Sequence, residues 1–158
     1  MKLKGLERYH VEEEAWMPVT GPDGLPFISL DKDGKEHQGE VLVRSMRHKD
    51  VKKAALAFAN KNAKLMNKKV LSEAQEKAGE AKTQQFITKH LAVDTRGFVD
   101  SNTNQAIPEG KGGELFVRDL VKYDWFVEQI MEFSPDRANY TEVDDDEEAE
   151  PASEGKKR

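Results

Sequence analysis

The 158-residue sequence contains no cysteine. That absence removes disulfides, thiolate metal sites and cysteine nucleophiles together. No uninterrupted run of about 18 apolar residues occurs, so no membrane-spanning helix is expected. The opening Met1-Lys2-Leu3-Lys4 lacks the apolar core of a signal peptide, and the expected compartment is the cytoplasm. Histidine is scarce, and His90 has no second histidine at a metal-ligand spacing. Neither a nucleophile–base pair nor paired carboxylates stand at a suggestive spacing, so the expectation is a binding protein without catalysis, cofactor or metal.

Two loops approach ligand-binding patterns and miss them. Asp31-Lys32-Asp33-Gly34 places glycine fourth and Lys35 fifth, where a calcium loop needs an oxygen ligand fifth and glycine sixth. It reads as a hairpin turn. Glu109-Gly110-Lys111-Gly112-Gly113 has neither the glycine spacing of a P-loop nor a hydroxyl after the lysine. It reads as a flexible linker.

What is present is charge. Charged residues make up 35% of the chain and hydrophobic ones 37%, which describes one domain with a modest core. The net charge is −5, and it is unevenly held. Residues 1–141 carry 22 basic and 22 acidic side chains; residues 142–158 carry eight acidic and three basic, hence the whole −5. Self-repulsion and the shortage of apolar residues predict a disordered acidic tail over 144–158.

The pattern predicts an α+β fold in a single domain, residues 1–143. A small antiparallel β-meander is expected over 6–46, punctuated by Gly21-Pro22-Asp23-Gly24 and Asp31-Lys32-Asp33-Gly34. Glu40-Val41-Leu42-Val43-Arg44 is its clearest strand. Residues 47–92 read as helical. Val51, Ala55, Phe58, Asn62 and Leu65 form one stripe, and Leu56, Ala59, Ala63, Met66 and Val70 an adjacent one, giving a wide apolar face backed by lysines. Ser72 starts a second helix or a continuation of the first, and Gly79 predicts a kink or a mobile joint near it. Residues 93–113 return to turns around Gly97-Phe98-Val99 and Ala106-Ile107.

Residues 113–140 are the densest apolar and aromatic segment, with C-terminal helices expected over 114–134. Phe116, Leu120, Tyr123, Val127 and Ile130 share one helical face, and Ser134-Pro135 ends it. Trp125 lies roughly opposite that face. Either the helix breaks near Tyr123-Asp124, with Asp124 capping a second helix and Trp125 buried, or Trp125 points outward as an anchor for another protein.

In order along the chain, the landmarks are Trp16 leading into Pro22-Asp23-Gly24-Leu25-Pro26, then Val41-Leu42-Val43-Arg44-Ser45 opening a long helix. Gly97-Phe98-Val99-Asp100 and Ala106-Ile107-Pro108 follow, then Trp125-Phe126-Val127-Glu128-Gln129-Ile130 and Asp136-Arg137-Ala138-Asn139-Tyr140. This set, covering about residues 10–143, resembles the small tail assembly chaperones of long-tailed bacteriophages. One departure is that Asp94-Thr95-Arg96 stands where relatives often carry a tryptophan. The resemblance implies a non-enzymatic protein of the host cytoplasm that binds the helical tape-measure protein, helps deliver tail-tube subunits to it, and is absent from the finished particle. Trp125, Phe126, Phe58 and Leu65 are the expected partner contacts, and self-association is left open.

Two other readings compete. One is a minor tail or head-completion protein retained in the virion. The other is a nucleic-acid regulator using the lysine-rich helix, although no aromatic residues interleave with those lysines and no nucleic-acid motif is recognisable.

Overall fold

A computed structural model describes residues 3–110 and 119–144. The expected α+β class is what it has. Its centre is a three-stranded antiparallel sheet of β2 (Glu14–Pro18), β5 (Glu40–Arg44) and β6 (Ala92–Arg96), in the order β2-β5-β6. In β5 the alternation decides the faces. Val41 and Val43 are fully buried, whereas Glu40, Leu42 and Arg44 keep partial exposure on the other side. Trp16 lies opposite Leu42 and Met17 opposite Val41, so β2 buries Met17 on the same inner face.

The first 46 residues do not form one continuous meander. β1 (Tyr9–Val11) pairs with β7 (Thr141–Val143), near the far end of the described chain. β3 (Ile28–Leu30) and β4 (Glu36–Gln38) make a separate hairpin between β2 and β5. Its turn is tied by the Asp31 carboxylate, which accepts from the backbone N–H of Asp33 (2.8 Å) and Lys35 (3.0 Å) and contacts the His37 ring nitrogen at 2.8 Å. These contacts, with His37 first, hold the Asp31 carboxyl below its ordinary value. The calcium-like tetrapeptide is thus the hairpin turn expected of it.

β6 corrects the turn-rich reading of residues 93–113. Its only fully buried position is Thr95, opposite Val41, so no apolar alternation marks the strand. Among the described residues, none hydrogen-bonds the buried Thr95 hydroxyl. The β5–β6 register shifts at Leu42/Val43, leaving Val93 as the extra residue of a bulge. Immediately after the strand, Gly97 has φ +77°, and a Cβ there would lie 1.8 Å from the Gln38 carbonyl oxygen. Only glycine lets this backbone pass so close. The crossing delivers Phe98 into the core, with Val99 bridging to Ala106.

The helical region divides into α1 (Lys49–Lys61), α2 (Ala63–Met66) and α3 (Glu73–Phe86). The His48 side chain caps α1 by accepting from Asp50 N–H. Ser72 and Gln75 form a reciprocal capping box at the start of α3. Gly79 produces no break, since α3 runs through it. The irregularity falls later, in a π-helical turn from Ile87 to Leu91 that feeds β6. Both Ile87 and Leu91 are fully buried, while α3 itself buries no residue completely. The turn is where this helix enters the core.

The expected helix break near Tyr123 is present. α4 spans Asp124–Phe133 with Tyr123 as its N-cap, so Asp124 is the first helical residue and not the cap. Leu120, Phe126 and Ile130 are buried, whereas Tyr123 is 53% exposed, which breaks the expected single stripe. Residues 114–118, including Phe116 of that stripe, and tail residues 145–158 lie outside the described residues. α4 is tied at its middle to the chain following β2 and, just past its C-terminus, to the end of β5. Gln129 accepts from Thr20 N–H (2.7 Å) and donates to the carbonyls of Thr20 and Trp125, and Ser134 Oγ donates to the Arg44 carbonyl (2.8 Å). A short 3₁₀ turn, Arg137–Tyr140, then buries Tyr140 and leads into β7.

Candidate partner-binding surface

α1 and the α3–π-turn segment enclose an open groove of about 370 Å³. Alanines at 54 and 57 keep its α1 wall low, beside Phe58. Across the groove stands Phe86, edge-on to Phe58 with ring centroids 5.5 Å apart, and His90 packs against Phe86 at 5.1 Å. Lys61, Lys82 and Lys89 form the rim, and no carboxylate side chain is among the lining residues. Lys82 Nζ donates to Asn62 Oδ1 (2.7 Å), and Asn62 Nδ2 donates to the Phe58 carbonyl (2.8 Å). That relay joins the two helices and holds one ammonium over the groove. Burial, then the charges of Lys89 and Arg44, lower the His90 pKa below its ordinary value, so the ring favours its neutral form.

The apolar stripes of α1 have separate fates. Val51 and Asn62 are buried, and Ala55, Phe58 and Leu65 are half-buried, so this stripe faces the body. Of the adjacent stripe, Leu56 is 64% exposed, and Val70, just beyond α2, is 82% exposed. The helical region therefore covers only part of its apolar width.

The four expected contact residues do not converge. Phe58 belongs to the groove, and Leu65 lies half-buried on α2. Trp125 is half-buried, stacked on Phe27 at 6.2 Å and packed against Tyr123 at 5.8 Å, so the outward-anchor alternative is not what the helix adopts. Phe126 is fully buried and offers no surface to a partner. Among the described residues, ring contacts fall into separate clusters, one of Phe58, Phe86 and His90, another built on Phe27, Phe98 and Trp125. Phe86, Lys82 and Lys89 join the site only through the pairing of α1 with the π-turn. Their signal in the sequence was Phe86, Lys89 and His90 recurring at i, i+3 and i+4 on one helical side.

The outer face of the central sheet is closed by its own charges. The Arg96 guanidinium sits 4.0 Å from the Trp16 ring centroid and donates to Glu40 (2.7 Å), while Arg44 donates to Glu14 (3.2 Å). The aromatic surface of Trp16 is thereby taken up internally.

No family model, curated protein or solved structure matches this chain. The site must be read from its chemistry. Among the described residues no group of three or more His, Asp or Glu side chains could hold a metal, and no helix is long and apolar enough to cross a membrane. The groove combines an aromatic floor with a cationic rim. It suits a helix or extended segment that carries both apolar and acidic residues.

Proposed function

We propose that this protein is a non-enzymatic tail assembly chaperone of a long-tailed phage, binding the tape-measure protein and tail-tube subunits during tail morphogenesis in the host cytoplasm. The single observation that carries the reading is the groove between α1 and α3, with Phe58 and Phe86 facing each other across it, while Leu56 and Val70 leave further apolar surface exposed elsewhere on the helical region. A long amphipathic helix needs its apolar stripe covered before assembly, and a shallow groove lined by aromatic rings and small alanines supplies such a cover. The ordered landmarks resembling tail assembly chaperones supply the partners' identity.

Co-expression with a tape-measure protein tests this. The chain should raise the soluble fraction of that protein. Phe58→Ala and Ala57→Glu should each lower it, with binding weakened by about 2 kcal/mol as for a central contact of the groove. A partner equally soluble without the chain would overturn the proposal. Mass spectrometry of purified particles adds the second arm: stoichiometric retention would replace the chaperone with a minor tail or head-completion component.

A further inference from the structure

The two walls of the groove carry the same residue spacing in opposite directions. Asn62 of α1 meets Lys82, while Phe58, earlier on α1, meets Phe86, later on α3. The two segments therefore run antiparallel where they face each other. On one wall Ala54, Ala57, Phe58 and Lys61 recur at i, i+3, i+4 and i+7. On the other, Lys82, Gln85, Phe86 and Lys89 do the same. Each segment thus turns one helical stripe into the groove. Three sections follow one another along it: Lys61 and Lys82 at one end, the two rings in the middle, Lys89 toward the Ala54 end. Seven residues separate Lys82 from Lys89, about 10 Å along the helix axis.

The protein itself does not neutralise this rim. Among the described residues Lys61, Lys82 and Lys89 form no ion pair. The α3 carboxylates Glu73, Glu76 and Glu80 are exposed and do not line the groove. Residues 47–70 hold eight basic side chains and one acidic, Asp50, for a formal charge of +7. That field steers an anionic occupant toward the groove, and the rim pairs with it at close range. Nucleic acid fits less well. Base stacking needs an open ring face, whereas Phe58 and Phe86 are half-buried and packed on one another and on His90.

We infer that the groove takes an acidic amphipathic helix whose facing stripe reads acidic, apolar, apolar, acidic at i, i+3, i+4 and i+7. The inference names the chemistry of the partner segment and rests on the groove being the partner-binding surface. The occupant's outer carboxylates meet Lys82 at one end and Lys89 at the other. Its apolar pair lies over Phe58 and Phe86. Alanines at 54 and 57 let its backbone come close, since side-chain size sets the distance between packed helices. Asn62 holds the Lys82 ammonium in place before binding, so less freedom is lost when a carboxylate arrives.

Synthetic helical peptides titrated into the intact protein by NMR test the spacing. The first carries glutamates at i and i+7 and leucines at i+3 and i+4. A second has the same composition with the glutamates at i and i+5, off the shared face. A third has glutamine at both acidic positions. The first should shift the amide resonances of Phe58, Lys61, Lys82 and Lys89, and bind about fivefold more tightly than either control, as for two exposed ion pairs. Burial, then the charges of Lys89 and Arg44, lower the His90 midpoint, so a carboxylate beside Lys89 should raise it. Lys89→Glu, at an exposed position, should remove the preference for the first peptide. One of that peptide's two single Glu→Lys versions should then bind the variant more tightly than the first peptide does. Equal binding of the three peptides would overturn the inference, as would no binding or shifts confined to other faces. Displacement of the first peptide by a short oligothymidylate that binds more tightly would give the groove to nucleic acid. Co-expression with a tape-measure protein is a separate readout. Solubilisation alongside equal peptide binding would remove the spacing and leave the chaperone reading standing, and the expected peptide order without solubilisation would do the reverse.

Discussion

Trp125 is the residue whose sequence context allowed two opposite roles, and its packing chooses between them. Its ring stacks on Phe27, which in turn meets the buried Phe98. Removing it therefore opens the edge of the core. Trp125→Ala should cost about 3 kcal/mol in chemical denaturation, while binding of a groove partner is unchanged. A full-strength melt with lost binding would restore the anchor role. Histidines make a second test at this scale, because two of them are displaced in opposite directions from the same ordinary value of 6.5. Hydrogen bonding to Asp144, with its charge, raises His10; burial, with Lys89 and Arg44, lowers His90. The native state thus binds the His10 proton more tightly than the unfolded chain does. The link between β1 and the Asp144 end is fully present below 6.5 and is lost as pH rises through the raised pKa. For His90 the sign reverses: stability falls as pH drops through 6.5, because the unfolded chain takes up a proton that the folded ring resists. An NMR titration should order the two midpoints with His10 above 6.5 and His90 below it.

At the scale of elements, legibility followed whether a segment's buried residues were apolar. β5 announced itself because Val41 and Val43 alternate with partly exposed neighbours. β6 hid because its buried inner residue is Thr95, and because Asp94 and Arg96 look like turn chemistry. The break before α4 was visible in the misplacement of Trp125. The partner of β1 was not, since more than 120 residues separate Tyr9–Val11 from Thr141–Val143 and local pattern carries no such information. The groove was half legible: the α1 stripe gave Phe58, and Phe86, Lys89 and His90 share one helical side, but their pairing with α1 depends on the π-turn, whose irregularity local pattern does not show. Gly79 misled for a different reason. Glycine lowers helix propensity, yet the capping box at Ser72 and Gln75 and the buried Ile87 and Leu91 hold α3 at both ends. A Cβ at Gly79 would meet open space. Gly79→Ala should accordingly stabilise the protein by about 1 kcal/mol, and a lower melting temperature would mean the glycine serves a bend that α3 does not display.

The molecule as a whole is closed by its termini. β1 pairs with β7, Glu12 N–H donates to the Tyr140 carbonyl at 2.7 Å, and Met46 N–H donates to the Ser134 carbonyl at 3.1 Å. Ser134 and Tyr140 are both buried, so the segment after α4 belongs to the body even though an acidic tail follows directly. That boundary can be located by two truncations. Ending the chain after Asp144 removes residues 145–158 and keeps every contact just named. Its cooperative melt should stay within about 0.5 kcal/mol of the full chain, the range of surface changes. Ending it after Phe133 removes the Ser134 bonds to Arg44 and Met46, the buried Tyr140 ring and the whole β7 ladder. Loss of a buried aromatic alone costs about 3–5 kcal/mol, a large part of the roughly 5–15 kcal/mol that holds a domain folded. The shorter chain should therefore lose its cooperative transition or melt far earlier. Equal melts for the two truncations would show that closure of the termini contributes nothing, and the body would then end at α4. A loss of cooperativity in the longer one would instead extend the folded body beyond Asp144 into the acidic segment.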